Sequence, residues 1–108
     1  MPTTYRILGQ ITGSVATASL YTSPAGTQTV VSSLVVTNRG TANNTYYIAV
    51  VPSGSTLGVE DWLAFNVPIT GSDSTALTLG ITLGQFDQIQ VSGLANSGSF
   101  NLFGSQIS

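Results

Sequence analysis

Apolar and polar residues alternate strictly between residues 77 and 83 of this chain. Every odd position in that segment is leucine or isoleucine, and every even position is threonine or glycine. A period of two places one kind of side chain on each face of a β-strand, so the segment predicts a strand with one buried face. No part of the sequence has the apolar period of an amphipathic helix. The chain is therefore expected to fold from β-strands.

Seven further segments are short, rich in β-branched or aromatic residues, and separated by turn residues. The clusters between them, such as NRGTANN at 38–44 and PSGSTLG at 52–58, contain residues that favour turns. Regularly spaced short strands without helices are typical of an antiparallel β-sandwich or jelly roll, and the length suits one domain. We predict an all-β, single-domain antiparallel β-sandwich of jelly-roll type over residues 1–108, with about eight strands at 5–11, 19–21, 29–37, 45–51, 62–68, 77–83, 88–91 and 100–107.

Charged residues are scarce in this sequence. They make up 6% of the chain, against roughly 25% in typical soluble proteins. The only cations are Arg6 and Arg39, so lysine, which commonly protects exposed strand edges, is missing. Two cations and a net charge of -2 also argue against a surface that follows nucleic-acid phosphates. We therefore predict a homo-oligomer, in which neighbouring subunits cover unprotected surface, and no nucleic-acid partner.

The residue types that most enzyme mechanisms need are also absent. Without histidine, cysteine or lysine, the chain cannot supply a catalytic triad, a serine–lysine dyad or the usual zinc ligands. Of the four carboxylates, Glu60 and Asp61 would point to opposite faces of a strand, while Asp73 and Asp87 lie in turns, where aspartate binds nearby backbone. A two-carboxylate hydrolase site or a calcium site is disfavoured. We expect no enzyme activity, no cofactor and no bound metal.

The first ten residues, MPTTYRILGQ, have neither the positive start nor the apolar run of a secretory signal. No stretch approaches the roughly 18 consecutive apolar residues of a membrane-spanning helix. We expect synthesis in the cytoplasm and no membrane partner. The threonines, Pro2 and Arg6 suit an extended segment, so residues 1–6 are predicted to form a peripheral arm. In such an arm, Arg6 is available to pair with a carboxylate across an interface.

The aromatic residues divide between core and surface. The adjacent tyrosines at 46 and 47 must lie on opposite faces of a strand. Outward-facing Tyr47 and Trp62 would suit a protein interface, or stacking on sugar rings as in a carbohydrate-binding module. In the closing segment FNLFGSQIS, Phe100 and Leu102 share one face and Phe103 lies on the other. We predict that Phe100 packs in the core and that Phe103 lies at a subunit interface.

Three phrases carry a resemblance to a known group of proteins. They are SSLVVTNRGTANNTYYIAVV from residue 32, LTLGITLGQFDQIQV from residue 77 and SFNLFGSQI from residue 99. They resemble small virion proteins of tailed bacteriophages, in particular the cement or decoration proteins of cyanophage-type capsids, over most of the chain from Ser32 onward. The resemblance implies a β-sandwich on the outside of the phage head, often trimeric, that clamps neighbouring major capsid subunits.

These observations lead to one hypothesis and two alternatives. The hypothesis is a structural protein of the virion capsid surface, whose partners are the major capsid protein and further copies of itself in a homotrimer. Its interface candidates are Arg6, Tyr47, Trp62 and Phe103. Another phage component, such as a tail, neck or fibre-associated protein, would have the same composition. A carbohydrate-binding module would use Trp62.

Overall fold

The computed structural model describes residues 3–94 and 97–107, which contain eight β-strands and a short 3-10 helix, η1 (Val59–Asp61). Each of the eight predicted segments is a strand, and all eight strands extend further than predicted. No helix in the described ranges is long and apolar enough to cross a membrane. The strands are β1 (Thr3–Thr12), β2 (Ser14–Thr22), β3 (Gln28–Asn38), β4 (Asn44–Val51), β5 (Trp62–Ile69), β6 (Asp73–Leu83), β7 (Gln88–Gly93) and β8 (Gly98–Ile107).

The strands form two four-stranded antiparallel sheets. Sheet A has the order β1-β8-β3-β6, and sheet B has the order β2-β7-β4-β5. Strand β1 pairs with β8, β2 with β7, β3 with β6, and β4 with β5, so the chain is a long antiparallel ribbon folded over on itself. This nested pairing is the jelly-roll arrangement of two packed sheets. The predicted all-β sandwich is therefore confirmed.

The core lies between the two sheets. Phe100 and Leu102 of β8 are fully buried, whereas Phe103 is half-buried on the other face of the strand. The alternation predicted for the closing segment is therefore confirmed. The interior strands of each sheet supply most of the core because neighbouring strands cover them on both sides. Their buried apolar residues are Val31, Leu34, Val36, Phe100 and Leu102 in sheet A and Tyr46, Ile48, Ile89 and Val91 in sheet B.

The core contains a polar network where β2, β3 and β8 meet. The Tyr21 hydroxyl lies 2.8 Å from Thr29 Oγ1, and Ser23 Oγ lies 2.9 Å from the same atom. Gln106 Nε2 donates to the Tyr21 hydroxyl at 2.7 Å. Among the described residues, no buried side-chain polar atom lacks a hydrogen-bond partner. Serine and threonine can therefore be buried here without the cost of an unsatisfied polar group.

The N-terminal residues belong to an edge strand. Residues 3–6 are the start of β1, and they lie opposite residues 107–104 of β8. This differs from the peripheral arm predicted for residues 1–6, of which Met1 and Pro2 lie outside the described residues. The sequence pattern does not predict the start of this strand, because an edge strand is largely solvated and needs no regular apolar alternation.

Candidate interaction surfaces

A cluster of aromatic rings lies on the outer face of sheet B. The ring centroids of Tyr47 and Trp62 are 5.7 Å apart, those of Tyr47 and Phe65 are 5.0 Å apart, and those of Trp62 and Phe65 are 5.4 Å apart, all edge to face. Phe65 is 63% exposed and neighbouring Val59 is 89% exposed. Val59, Trp62 and Phe65 line a surface hollow of about 270 Å³. We call Tyr47, Val59, Trp62 and Phe65 the aromatic patch.

Irregular pairing of β5 creates this patch. Trp62 and Phe65 are three residues apart, so a regular strand would place them on opposite faces. The pairing of β5 with β4 shifts register twice, and Asn66 adopts a left-handed backbone with φ 55°. The Tyr47 hydroxyl donates to Asn66 Oδ1 at 3.1 Å. The bulged strand therefore brings both rings to the face that carries Tyr47.

The connection from β4 to β5 supports one side of the patch. Ala49 and Val51 follow Tyr47 on the same face of β4, because the pairing of β4 with β7 is unbroken. Both are buried, and η1 in the connection contacts β4. The buried Asp61 carboxylate accepts a hydrogen bond from the Gly58 N–H at 2.8 Å. This contact holds the η1 turn in place immediately before Trp62.

The aspartate carboxylates all bind backbone amides. Asp73 accepts a hydrogen bond from the Ser74 N–H at 2.8 Å, and Asp87 accepts bonds from the N–H groups of Ser53 and Gly84 at 2.7 and 2.8 Å. These are the turn roles expected for Asp73 and Asp87 from the sequence. Within the part of the chain that the structure describes, no group of three or more acidic residues lies close enough together to hold a metal ion.

A second apolar surface lies on the outer face of sheet A. Tyr5 and Ile7 of β1 are 83% and 51% exposed. Ile7 lies directly opposite Phe103, so all three residues share the face that points away from the core. We call Tyr5, Ile7 and Phe103 the β1–β8 patch. The two patches belong to different sheets and face in opposite directions.

The four predicted interface residues therefore separate into three places. Tyr47 and Trp62 meet in the aromatic patch, and Phe103 lies in the β1–β8 patch. Arg6 lies on the other face of β1 from Ile7, where its Nη1 donates to Gln106 Oε1 at 3.4 Å. Phe65, which sequence reasoning missed, is the most exposed ring of the aromatic patch. The signal that could have found it is Asn66, because asparagine adopts the left-handed backbone of a bulge more readily than most residues.

Comparisons with known proteins identify the fold. No protein-family profile matches the chain, and no curated protein matches its sequence. Among solved structures, a chain of the T13 infectious bursal disease virus (IBDV) particle matches with a TM-score of 0.56 and 10% identity, over 96% of this chain and 30% of that chain. A chain of infectious bursal disease virus Gx strain matches with a TM-score of 0.55 and 11% identity, over 97% of this chain and 32% of that chain.

Because the sequence identities are low, these matches show a similarity of fold alone. The chain spans about a third of the length of the viral chains that it matches. The jelly roll of this protein is thus similar to one part of larger chains in virus particles.

Proposed function

We propose that the protein is a structural component of a virion, and specifically a capsid cement or decoration protein. In this role it binds the outside of a phage head and stabilises contacts between major capsid subunits. The observation that carries the proposal is the pair of apolar patches on opposite faces of one small sandwich. A protein that joins neighbours needs two separate contact surfaces, and each sheet supplies one. The similarity of the fold to parts of virus-particle chains supports the same role.

The composition of both patches suits permanent contacts. Exposed apolar clusters on a small domain mark sites of interaction with other molecules. Both patches consist of aromatic and aliphatic side chains. Burying an unpaired charge at an interface is costly, so uncharged surfaces can be covered completely. A protein without chemistry of its own can stabilise a shell in this way, by adding buried area across the joints between subunits.

The aromatic patch is the stronger of the two as an anchor. Phe65 is 63% exposed, which leaves about 125 Å² of a side chain that buries roughly 200 Å² when fully covered. At about 25 cal/mol per Å², covering the exposed part of Phe65 stabilises a complex by about 3 kcal/mol. Trp62 and Tyr47 hold this ring in position from two sides. Rings packed in this way lose little side-chain freedom when a partner binds.

Binding to phage heads that lack this protein tests the proposal. Phe65→Ser should weaken binding by about 100-fold, since each 1.4 kcal/mol of lost contact is about tenfold in affinity. Phe65 is exposed, so the folded domain should keep its thermal stability. The matched control is Phe86→Ser, which removes a 48% exposed phenylalanine from the turn between β6 and β7. Binding by Phe65→Ser that equals wild type would contradict the proposal.

Self-association is the second part of the proposal. The scarcity of charge and the missing lysines favour a homo-oligomer, and the family resemblance implies a trimer on the capsid surface. Sedimentation equilibrium measures this directly, and a stable monomer at micromolar concentration would contradict it.

Sugar binding is the second candidate function, because Trp62 and Phe65 line an open hollow that could stack on a sugar ring. A glycan array tests it with the wild-type protein and Trp62→Ala. Reproducible binding that the substitution abolishes would favour a carbohydrate-binding module over a capsid protein.

A further inference from the structure

Among the described strands, none pairs with the outer edge of β6. In sheet A, β6 is the last strand and pairs only with β3. Its 11 residues give an edge about 36 Å long. Beyond the pairing with β3, residues 75–83 form no hydrogen bond with any other described residue. This edge therefore presents a row of unpaired backbone donors and acceptors.

Two observations show which amides face outward. The Ser74 N–H donates to Asp73 Oδ1 at 2.8 Å, so it lies on the free side of the strand. Residues 73–78 pair with residues 38–33 of β3 without interruption. Backbone groups alternate in direction along a regular strand, so the N–H groups of Ala76 and Thr78 also face away from β3.

The other three edge strands are better protected. In sheet A, β1 carries the charged Arg6 within its paired region. In sheet B, the pairing of β2 and of β5 is broken by register shifts, and β5 contains Pro68. By contrast, β6 has one register shift, no proline and a single charge, Asp73, at its first residue. Charge, proline and bulges are the usual protection of an edge, so β6 is the least protected.

The core-facing side of β6 is also incompletely covered. Leu77, Leu79 and Ile81 pack against the core but stay half-buried, whereas Val31 and Leu34 of the adjacent β3 are fully buried. The difference arises because no strand of the described ranges lies beyond β6 in sheet A. A further strand at this edge would cover both the backbone groups and these three side chains.

We propose that a second copy of the chain pairs with this edge, β6 against β6, antiparallel about a two-fold axis. The edge is complementary to itself: the exposed side chains of Ser74, Ala76 and Thr78 are uncharged, and antiparallel pairing places the two Asp73 carboxylates at opposite ends of the paired segment. The two copies of sheet A become one eight-stranded sheet, and the half-buried leucines and isoleucines of both copies become neighbours. Such an isologous contact is self-limiting and builds no filament.

This inference deepens the self-association in the proposed function and is independent of capsid binding. The contact produces a dimer of single chains. In a protein that is otherwise a trimer, the three β6 edges of one trimer pair with the three β6 edges of a second, which closes the assembly. The assembly therefore contains an even number of chains in either case, and loss of the contact halves its mass.

Sedimentation velocity of the full chain tests the inference. Wild type should sediment as an even-numbered species, and Ala76→Pro, which removes an outward-facing amide, should halve the mass. Ala76→Lys should do the same by placing like charges near the two-fold axis. The matched control is Ala25→Lys, which makes the same substitution in the exposed turn between β2 and β3, outside β6 and outside both patches, and should leave the mass unchanged. Circular dichroism establishes that each variant is folded, and Ala76→Lys decides the outcome if the proline variant does not fold.

Hydrogen exchange gives an independent measurement on wild type. The Ala76 and Thr78 amides should be protected at concentrations where the assembly forms and should exchange rapidly on dilution. A monomeric or odd-numbered wild type, a folded Ala76→Lys of unchanged mass, or rapid exchange at all concentrations would overturn the inference. Binding of Phe65→Ser to heads is measured separately, so failure of this contact is distinguishable from failure of the capsid proposal.

Discussion

Phe100 and Phe103 are close in sequence but differ completely in what they contact. Phe100 is fully buried between the sheets, and Phe100→Ala should cost about 3 to 5 kcal/mol of folding free energy. That is a large fraction of the roughly 5 to 15 kcal/mol that stabilises a typical domain. The melting temperature should fall by roughly 10 to 25 °C.

Phe103 lies on the opposite face, where it neighbours Ile7 and Ser33 and stays half-buried. Removing its ring exposes no core residue, so Phe103→Ala should cost only about 1 to 2 kcal/mol of stability. Its main effect should be on assembly or on retention by the capsid. Thermal unfolding and size-exclusion chromatography on both variants separate the two roles. If Phe103→Ala unfolds the protein while Phe100→Ala leaves it stable, the assignment of faces in β8 is wrong by one residue.

Two further predictions concern stability. A side chain at Gly104 would collide with the backbone carbonyl oxygen of Val30, so Gly104→Ala should destabilise the fold by about 1 to 3 kcal/mol in chemical denaturation. The control Gly84→Ala makes only ordinary contacts and should change stability little; equal losses in both would contradict this reason. Burial raises the pKa of Tyr46 above its usual 10.0, so the folded state keeps this proton at a pH where the unfolded chain releases it. Stability should therefore decline as the pH rises above about 10, and Tyr46→Phe should lessen that decline; an identical decline in the variant would argue against this cause.

The strands could be predicted because their local signals agree with the fold. Residues 77–83 alternate strictly, and their odd positions do face the core. The start of β1 could not be predicted in the same way, because Thr4 and Arg6 lie at an exposed edge where no apolar alternation is needed. The order of strands could not be predicted from the sequence either, since most pairs of the jelly roll join strands that are not consecutive in the chain.

The aromatic patch was only half predictable. Tyr46 and Tyr47 were expected on opposite faces of a strand, and Tyr47 and Trp62 were both expected at an interface. Phe65 was missed because a regular strand places it opposite Trp62. The register shifts that bring the rings together depend on how β4 meets β5. Such shifts arise from long-range pairing and leave only a weak local signal at Asn66.

Cryo-electron microscopy of the virion tests the central claim most directly. We predict many copies of this jelly roll on the outer surface of the head, each touching neighbouring major capsid subunits, with Trp62 and Phe65 buried in the contact. Copies confined to the tail or neck, or copies on the head whose aromatic patch faces solvent, would contradict it.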